Sequence, residues 1–253
     1  MKEAELAAAA KMDSSALRTW LVTGASGGIG EAVVRRVAAA GDRVVLVARG
    51  ERVVTAAASL GDHALAIQAD IAEAASLVRS LARLRESIPA IDVLVNCAGV
   101  HSGGKVGKLP LDGWQRVIST NLTGVFNTVD ACLKLMPDGA SIVTVGSVVG
   151  RRGFPGDSAY GSAKAGLIGL TRVLAAELAP RRIRANLVAP GLVTTDMMAG
   201  LSQASREQLI ARVPLGRFAR PDEIAAVICW VADSTYMTGS VISVDGGMSA
   251  VIG

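Results

Sequence analysis

Thr19-Trp20-Leu21-Val22-Thr23-Gly24-Ala25-Ser26-Gly27-Gly28-Ile29-Gly30 is the stretch whose reading decides the fold. Trp20-Leu21-Val22 reads as a strand, and Ile29–Ala40 has apolar residues at helical spacing. The glycines between them supply the turn, and Gly41 suits a helix C-terminus. The same alternation runs outward along the chain. Further strands are predicted at Arg43–Val47, Ala64–Gln68, Asp92–Val95, Ser141–Val145, Arg184–Val188 and Val241–Val244. Helices are predicted at Glu51–Leu60, Ala72–Ser87, Leu111–Met136, Ser158–Ala179 and Pro221–Ala232, with Pro180 stopping the fourth of these. Most strands are apolar without alternation, as parallel strands buried on both faces are. The fold class that follows is α/β: one domain, a doubly wound parallel sheet of about seven strands, helices on both faces. Its ligand crevice lies at the strands' carboxyl ends. Thr194–Arg220 interrupts the alternation and reads as a small lid, roughly residues 194–220.

Composition agrees. Of 253 residues, 51% are apolar and only 3% aromatic, so the core is built from Ala, Val, Leu and Ile. A net charge of +4 is mildly basic, and no Lys/Arg-rich run or aromatic-studded basic stripe supports a nucleic-acid partner. Cys97, Cys132 and Cys229 are odd in number and widely spaced, which suggests neither a disulfide framework nor a metal site. A reducing cytoplasm is the simplest compartment, and no apolar run reaches membrane-spanning length. Met1–Arg18 reads as a flexible extension or frayed helix, without a signal-peptide pattern, and Met12 is an alternative start. The domain proper is 19–253.

The glycine turn also carries chemistry. Gly24, Ser26, Gly28, Ile29 and Gly30 stand where a strand opens into a helix, so the backbone can approach a diphosphate at the helix's positive end. The spacing is G-x-x-x-G-x-G. At the end of the second strand, Ala48-Arg49 replaces the acid that would accept from ribose hydroxyls. A guanidinium there suits a 2′-phosphate, which favours NADP(H) over NAD(H). Asp70, with Ile71 beside it, either accepts from an adenine amino group or caps the next helix. Asn96 ends the fourth strand, and the small Ala98-Gly99 pair after it leaves room for adenosine.

The fifth strand ends at Ser147, thirteen residues before Tyr160, and Lys164 lies four beyond it. If Ser158 caps a helix, Tyr160 and Lys164 share one face a turn apart. Each residue has an ordinary structural reading by itself. Taken together with Asn121 and the glycine turn, their joint spacing is a strong signal of a catalytic site.

T-G-A-S-G-G-I-G (23–30), N-C-A-G (96–99), Asn121, Ser147 and Y-G-S-A-K (160–164) resemble the short-chain dehydrogenase/reductase family in order and spacing. The resemblance runs from about Thr19 to Met248 and is strongest toward 3-oxoacyl-[acyl-carrier-protein] reductases. It implies a Rossmann-like fold and NADPH-dependent reduction of a 3-oxoacyl thioester, as in fatty-acid synthesis. In that scheme Tyr160 is the general acid, Ser147 polarises the carbonyl and Asn121 holds a relay water. Lys164, with the charge of oxidised nicotinamide, would lower the Tyr160 pKa by about 1–3 pH units. Pro190, Gly191, Val193 and Thr195 would hold the nicotinamide carboxamide. No metal is required. The other readings are reduction of another ketone or oxidation of a secondary alcohol, and a catalytically silent NADP-binding regulator.

Arg181 matches a carrier-protein contact of the family, with Arg182 beside it, but Met136-Pro137-Asp138-Gly139 is short and carries the wrong charge. Arg151 and Arg152 are possible substitutes. His101 either touches substrate or faces solvent. Apolar residues beyond one stripe on Leu111–Met136 and Ser158–Ala179 suggest subunit contacts, and the family forms homotetramers.

Overall fold

Seven parallel strands form one sheet in the order β3-β2-β1-β4-β5-β6-β7. They are β1 (Thr19–Thr23), β2 (Arg43–Ala48), β3 (Ala64–Gln68), β4 (Val93–Asn96), β5 (Ser141–Val145), β6 (Arg184–Pro190) and β7 (Val241–Val244). The structure is a computed structural model and describes residues 17–84, 87–200 and 202–250. The strand order reverses between β1 and β4, so their carboxyl ends diverge into the crevice expected of a doubly wound sheet.

Both sheet faces are covered, which is why the strands read as unbroken apolar runs. Trp20 and Val22 of β1 point into one core with Val33, Val34 and Val37 of α1 (Gly28–Ala39). Val53 of α2 (Arg52–Ala58) and Ile224 and Ile228 of the last helix, Pro221–Asp233, complete it. Leu21, between them in β1, enters the opposite core with Leu77 and Leu81 of α3 (Ala74–Leu84). Fully burying side chains of this kind contributes about 1.5–3 kcal/mol each.

The expected helix over Leu111–Met136 is interrupted. It forms α4 (Leu111–Ile118), a π turn at Ser119–Thr123 and α5 (Gly124–Leu133). The Gly124 amide bonds the Ser119 carbonyl, five residues back. The cause is local and tertiary together. Thr120, Asn121 and Thr123 are weak helix formers. Asn121 also turns its amide to the Val100 backbone, accepting from its N–H and donating to its C=O at 2.8 Å each.

Two short helices were not expected: α6 (Val149–Arg152) and, inside segment 194–220, α8 (Gln203–Ile210). Between them lies α7 (Ser158–Glu177), and α9 is Pro221–Asp233. Ser158 is the first residue of α7 rather than its cap. Asp157 holds the cap position, and its side chain makes no cap bond. The helix ends at Glu177, before Pro180, which opens a 3-10 turn. The two ends of segment 194–220 are stitched together, Thr194 N–H to Ala219 C=O and Ala219 N–H to Leu192 C=O, both at 2.9 Å.

The terminal extension read at Met1–Arg18 falls on residues 1–16, outside the described residues. Arg18 itself belongs to the domain, since its guanidinium bonds Asp42 and Asp233 at 3.2 and 2.6 Å. No described helix is long and apolar enough to cross a membrane.

Candidate active site

The carboxyl ends of β1, β2, β4, β5 and β6 open into one cavity of about 980 Å3. Its floor is the glycine turn. Gly24 sits at φ +67° and Gly28 at φ +54°, backbone that side chains rarely adopt. A Cβ on Gly24 would lie 2.7 Å from the Ala98 backbone, so glycine lets the β4 tip close on the turn. The Thr23 hydroxyl locks that approach, accepting from the Cys97 and Ala98 amides at 3.1 Å each.

The structure places most of the expected cofactor residues on the cavity wall: Gly24, Ser26, Gly28 and Ile29 from the turn, and Arg49, Asp70 and Ile71 from the β2 and β3 tips. Ala98 and Gly99 follow β4, and Pro190, Gly191, Val193 and Thr195 follow β6. Gly30 and Asn96 do not line the cavity and lie behind its wall. A Cβ on Gly30 would stand 2.3 Å from the Gly24 carbonyl, so this glycine seats the helix on the turn. Asn96 is buried, and its amide donates to Thr144 Oγ1 at 3.4 Å.

Arg49 and Asp70 meet across the strand tips, Nη1 to Oδ2 at 3.6 Å. The other Asp70 oxygen accepts from the Ala72 amide at 2.9 Å, in a turn ahead of α3 rather than as the cap of that helix. Exposed Arg52, unmarked in the sequence, also lines this end of the cavity.

At the other end, Ser147, Tyr160 and Lys164 share the wall. Ser147 follows β5, where Gly146 N–H bonds the Val188 carbonyl at 2.7 Å and Val148 N–H the Pro190 carbonyl at 3.0 Å. The Ser147 hydroxyl accepts from the Val149 amide at 3.2 Å, which leaves its own proton free to be donated. Lys164 is buried, and its ammonium donates to the Val145 carbonyl at 2.7 Å and lies 5.5 Å from the Tyr160 ring centre. Close packing explains its reach. A Cβ on Gly150 would stand 2.6 Å from the Lys164 backbone, so α6 rides directly on α7.

Asn121 does not reach the cavity surface. Its two bonds to Val100 brace the loop after β4. They leave one hydrogen on Nδ2 and one lone pair on Oδ1, the groups on which a water relay toward Lys164 would rest.

The electrostatics of the free protein run opposite to the expected lowering of the Tyr160 pKa. Burial first, then the Asp157 carboxylate, push the Tyr160 phenol up to about 12, with the Ser147 hydroxyl pulling the other way. Burial pulls the Lys164 amine down to about 8. Without a bound dinucleotide, Tyr160 therefore holds its proton through the neutral range.

His101 lines the cavity beside Tyr160 and bonds Asp157 through Nε2 at 2.7 Å, so neither of its sequence readings included its main partner. The cavity wall also carries the apolar side chains Val149, Phe154, Leu192, Met198, Leu209 and Met248. Met198 and Leu209 come from segment 194–220.

Arg181 lies off the cavity, with its donors engaged within its own chain. Nε reaches Asp138 at 3.1 Å, Nη1 the Leu133 carbonyl at 3.3 Å and Nη2 the Met136 carbonyl at 2.5 Å. Arg151 bonds Ser243 Oγ at 2.7 Å, and Arg152 bonds the Met248 carbonyl. Among the described residues, no group of three or more His, Cys, Asp or Glu could hold a metal ion.

The family described as enoyl-(acyl carrier protein) reductase matches residues 24–249. The 3-oxoacyl-[acyl-carrier-protein] reductase of Synechocystis sp. is 40% identical over 238 residues, 90% of this chain and 95% of that protein. Carbonyl reductase family member 4 of Danio rerio is 36% identical over 238 residues, 93% of this chain and 99% of that protein. A blue fluorescent protein from a metagenomic library, solved in complex with NADPH, superposes with a TM-score of 0.86 at 34% identity. That match covers 92% of this chain and 98% of the other. With its glycine turn, seven-stranded parallel sheet and near full-length relatives, the chain belongs to the short-chain dehydrogenase/reductase family of oxidoreductases.

Proposed function

We propose that this chain reduces the ketone of a 3-oxoacyl thioester with NADPH, Tyr160 acting as general acid. The observation that carries this reading is the convergence of Ser147, Tyr160 and Lys164 on one cavity whose far end holds the glycine turn and Arg49. The apolar substrate side suits an acyl chain, and the named relatives include a 3-oxoacyl-[acyl-carrier-protein] reductase. When bound, NADPH supplies the hydride, from C4 of the nicotinamide to the carbonyl carbon. Ser147 donates to the carbonyl oxygen as charge builds there. Tyr160 transfers its proton to that oxygen. The buried Lys164 ammonium holds ribose hydroxyls and stabilises the phenolate left behind. The positive charge of the oxidised ring adds to this, opposing the burial that raises Tyr160 in the free protein.

Arg49 is proposed to clamp the 2′-phosphate, having Asp70 as its partner until the phosphate arrives. Arg49→Asp is expected to lower the ratio of kcat/KM for NADPH over NADH by about 10- to 100-fold, the worth of one charge-assisted contact. An unchanged ratio removes Arg49 from that role.

A second reading, reduction of a different ketone, is favoured by Arg181. Its bonds to Asp138 and the α5 end leave the expected carrier-protein contact engaged within this chain. NADPH oxidation with a carrier-bound acetoacetyl thioester, the same thioester on a small thiol, and a ketone panel separates the two. A higher kcat/KM for the carrier-bound form supports the first reading. Turnover of ketones alone supports the second, and binding without turnover points to a silent regulator. Exposed Phe126 on α5 and Val173 on α7 are where we place contacts of a homotetramer.

A further inference from the structure

We propose that His101, held by Asp157, is a specificity-determining residue that grips a second oxygen of the substrate, beside the carbonyl being reduced. The proposal deepens the thioester reading, since a 3-oxoacyl thioester carries its second carbonyl one carbon from the ketone.

The pair is built across two loops. His101 follows β4, whereas Asp157 immediately precedes α7. The loops are joined by Gly104 N–H to the Gly156 carbonyl at 2.7 Å and by a parallel bridge between Gly104 and Asp157. Asp157 stands at a helix start, where a carboxylate ordinarily caps the free amides. Instead it makes no cap bond and reaches His101 Nε2 at 2.7 Å. The carboxylate is largely shielded, at 16% exposure, and the imidazole is open to the cleft at 38%.

The ring lies where the substrate must pass. His101 meets Tyr160 edge to face, with ring centres 5.4 Å apart and planes at 69°. A carbonyl held by the Tyr160 and Ser147 hydroxyls therefore places its neighbouring atoms beside the imidazole. Asp157 raises the proton affinity of His101, which favours the imidazolium. With Nε2 committed to Asp157, Nδ1 is the nitrogen left to donate. The same cavity wall carries the apolar side chains Val149, Phe154, Leu192 and Leu209, which offer a substrate oxygen no hydrogen bond. The other basic side chains on the cavity wall are Arg49 and Arg52 at the β2 side and Lys164 beneath Tyr160. A donor in an apolar wall discriminates strongly, because a substrate lacking the acceptor leaves it unpaired.

The test compares kcat/KM for two substrate classes on the full-length protein. One class carries a second oxygen: acetoacetyl-N-acetylcysteamine and ethyl acetoacetate. The other is a plain methyl ketone, 2-heptanone. Wild type is expected to favour the first class. His101→Leu is expected to lower the ratio of the two kcat/KM values by about 10- to 100-fold, the size of one charge-assisted hydrogen bond. His101→Gln, which keeps an N–H donor, should restore part of the ratio, and Asp157→Asn should lie between. Circular dichroism and an NADPH fluorescence titration show that each variant is folded and loaded. A ratio unchanged in His101→Leu overturns the proposal, because the pair then only joins two loops. A wild type that reduces 2-heptanone as well as the dicarbonyls overturns it too. Reduction of ethyl acetoacetate without the thioester defeats the thioester reading alone, and the His101 ratio is then read on the keto ester.

Discussion

Tyr160→Phe is expected to cut carbonyl reduction by about 10³- to 10⁴-fold while NADPH still binds. The substitution removes one oxygen and leaves the ring, so the edge-to-face contact with His101 and the packing around Lys164 persist. What disappears is the acid. His101, the other acid beside it, is committed in our proposal to the second substrate oxygen rather than to the ketone. Ser147 can donate a hydrogen bond, but its hydroxyl is far too weak an acid to transfer a proton. Lys164 is held at the Val145 carbonyl, 2.7 Å away. The measurement is single-turnover NADPH oxidation with saturating ketone, alongside a fluorescence titration of NADPH. A variant that turns over within tenfold of wild type would sink the general-acid role, and one that fails to bind NADPH would show that the ring hydroxyl serves the cofactor first.

The second large effect is expected at Gly30. A methyl group there would meet the Gly24 carbonyl oxygen at 2.3 Å and its carbon at 2.8 Å. Both are backbone atoms of the turn, so relief requires moving α1 or the turn itself. The turn cannot move freely. Gly24 is already at φ +67° and packed on Ala98, and Thr23 ties it to β4. Gly30→Ala is therefore expected to cost about 1–3 kcal/mol or more in stability. For a domain of this size that lowers Tm by about 2–4 °C per kcal/mol. NADPH affinity should fall at the same time, because the displaced amides are those that would face the diphosphate. Thermal denaturation followed by circular dichroism, with and without NADPH, reads both effects. Wild-type Tm and affinity in this variant would mean that the α1–turn contact is softer than the packing indicates.

Much of this molecule was determined by the sequence alone, wherever the physics is local. The seven strands were legible because two-sided burial makes each an apolar run, as Leu21 and Val22 serving opposite cores illustrates. The turn at Gly24–Gly30 was legible because only glycine tolerates its backbone and close approach. Tyr160 and Lys164 were legible as neighbours because a helix repeats every 3.6 residues. Tertiary structure decided the rest, through contacts between segments distant in sequence. The long helix breaks at Ser119–Thr123 where Asn121 meets Val100, 21 residues away. Gly30 and Asn96 face inward because the turn and β5 pack over them. Arg181 is engaged by Asp138, 43 residues distant. The free-protein pKa of Tyr160 rises because burial and Asp157 act on it, and burial has no signature in spacing. His101 and Asp157 lie 56 residues apart, on loops that only the crossover from β4 to α7 brings together.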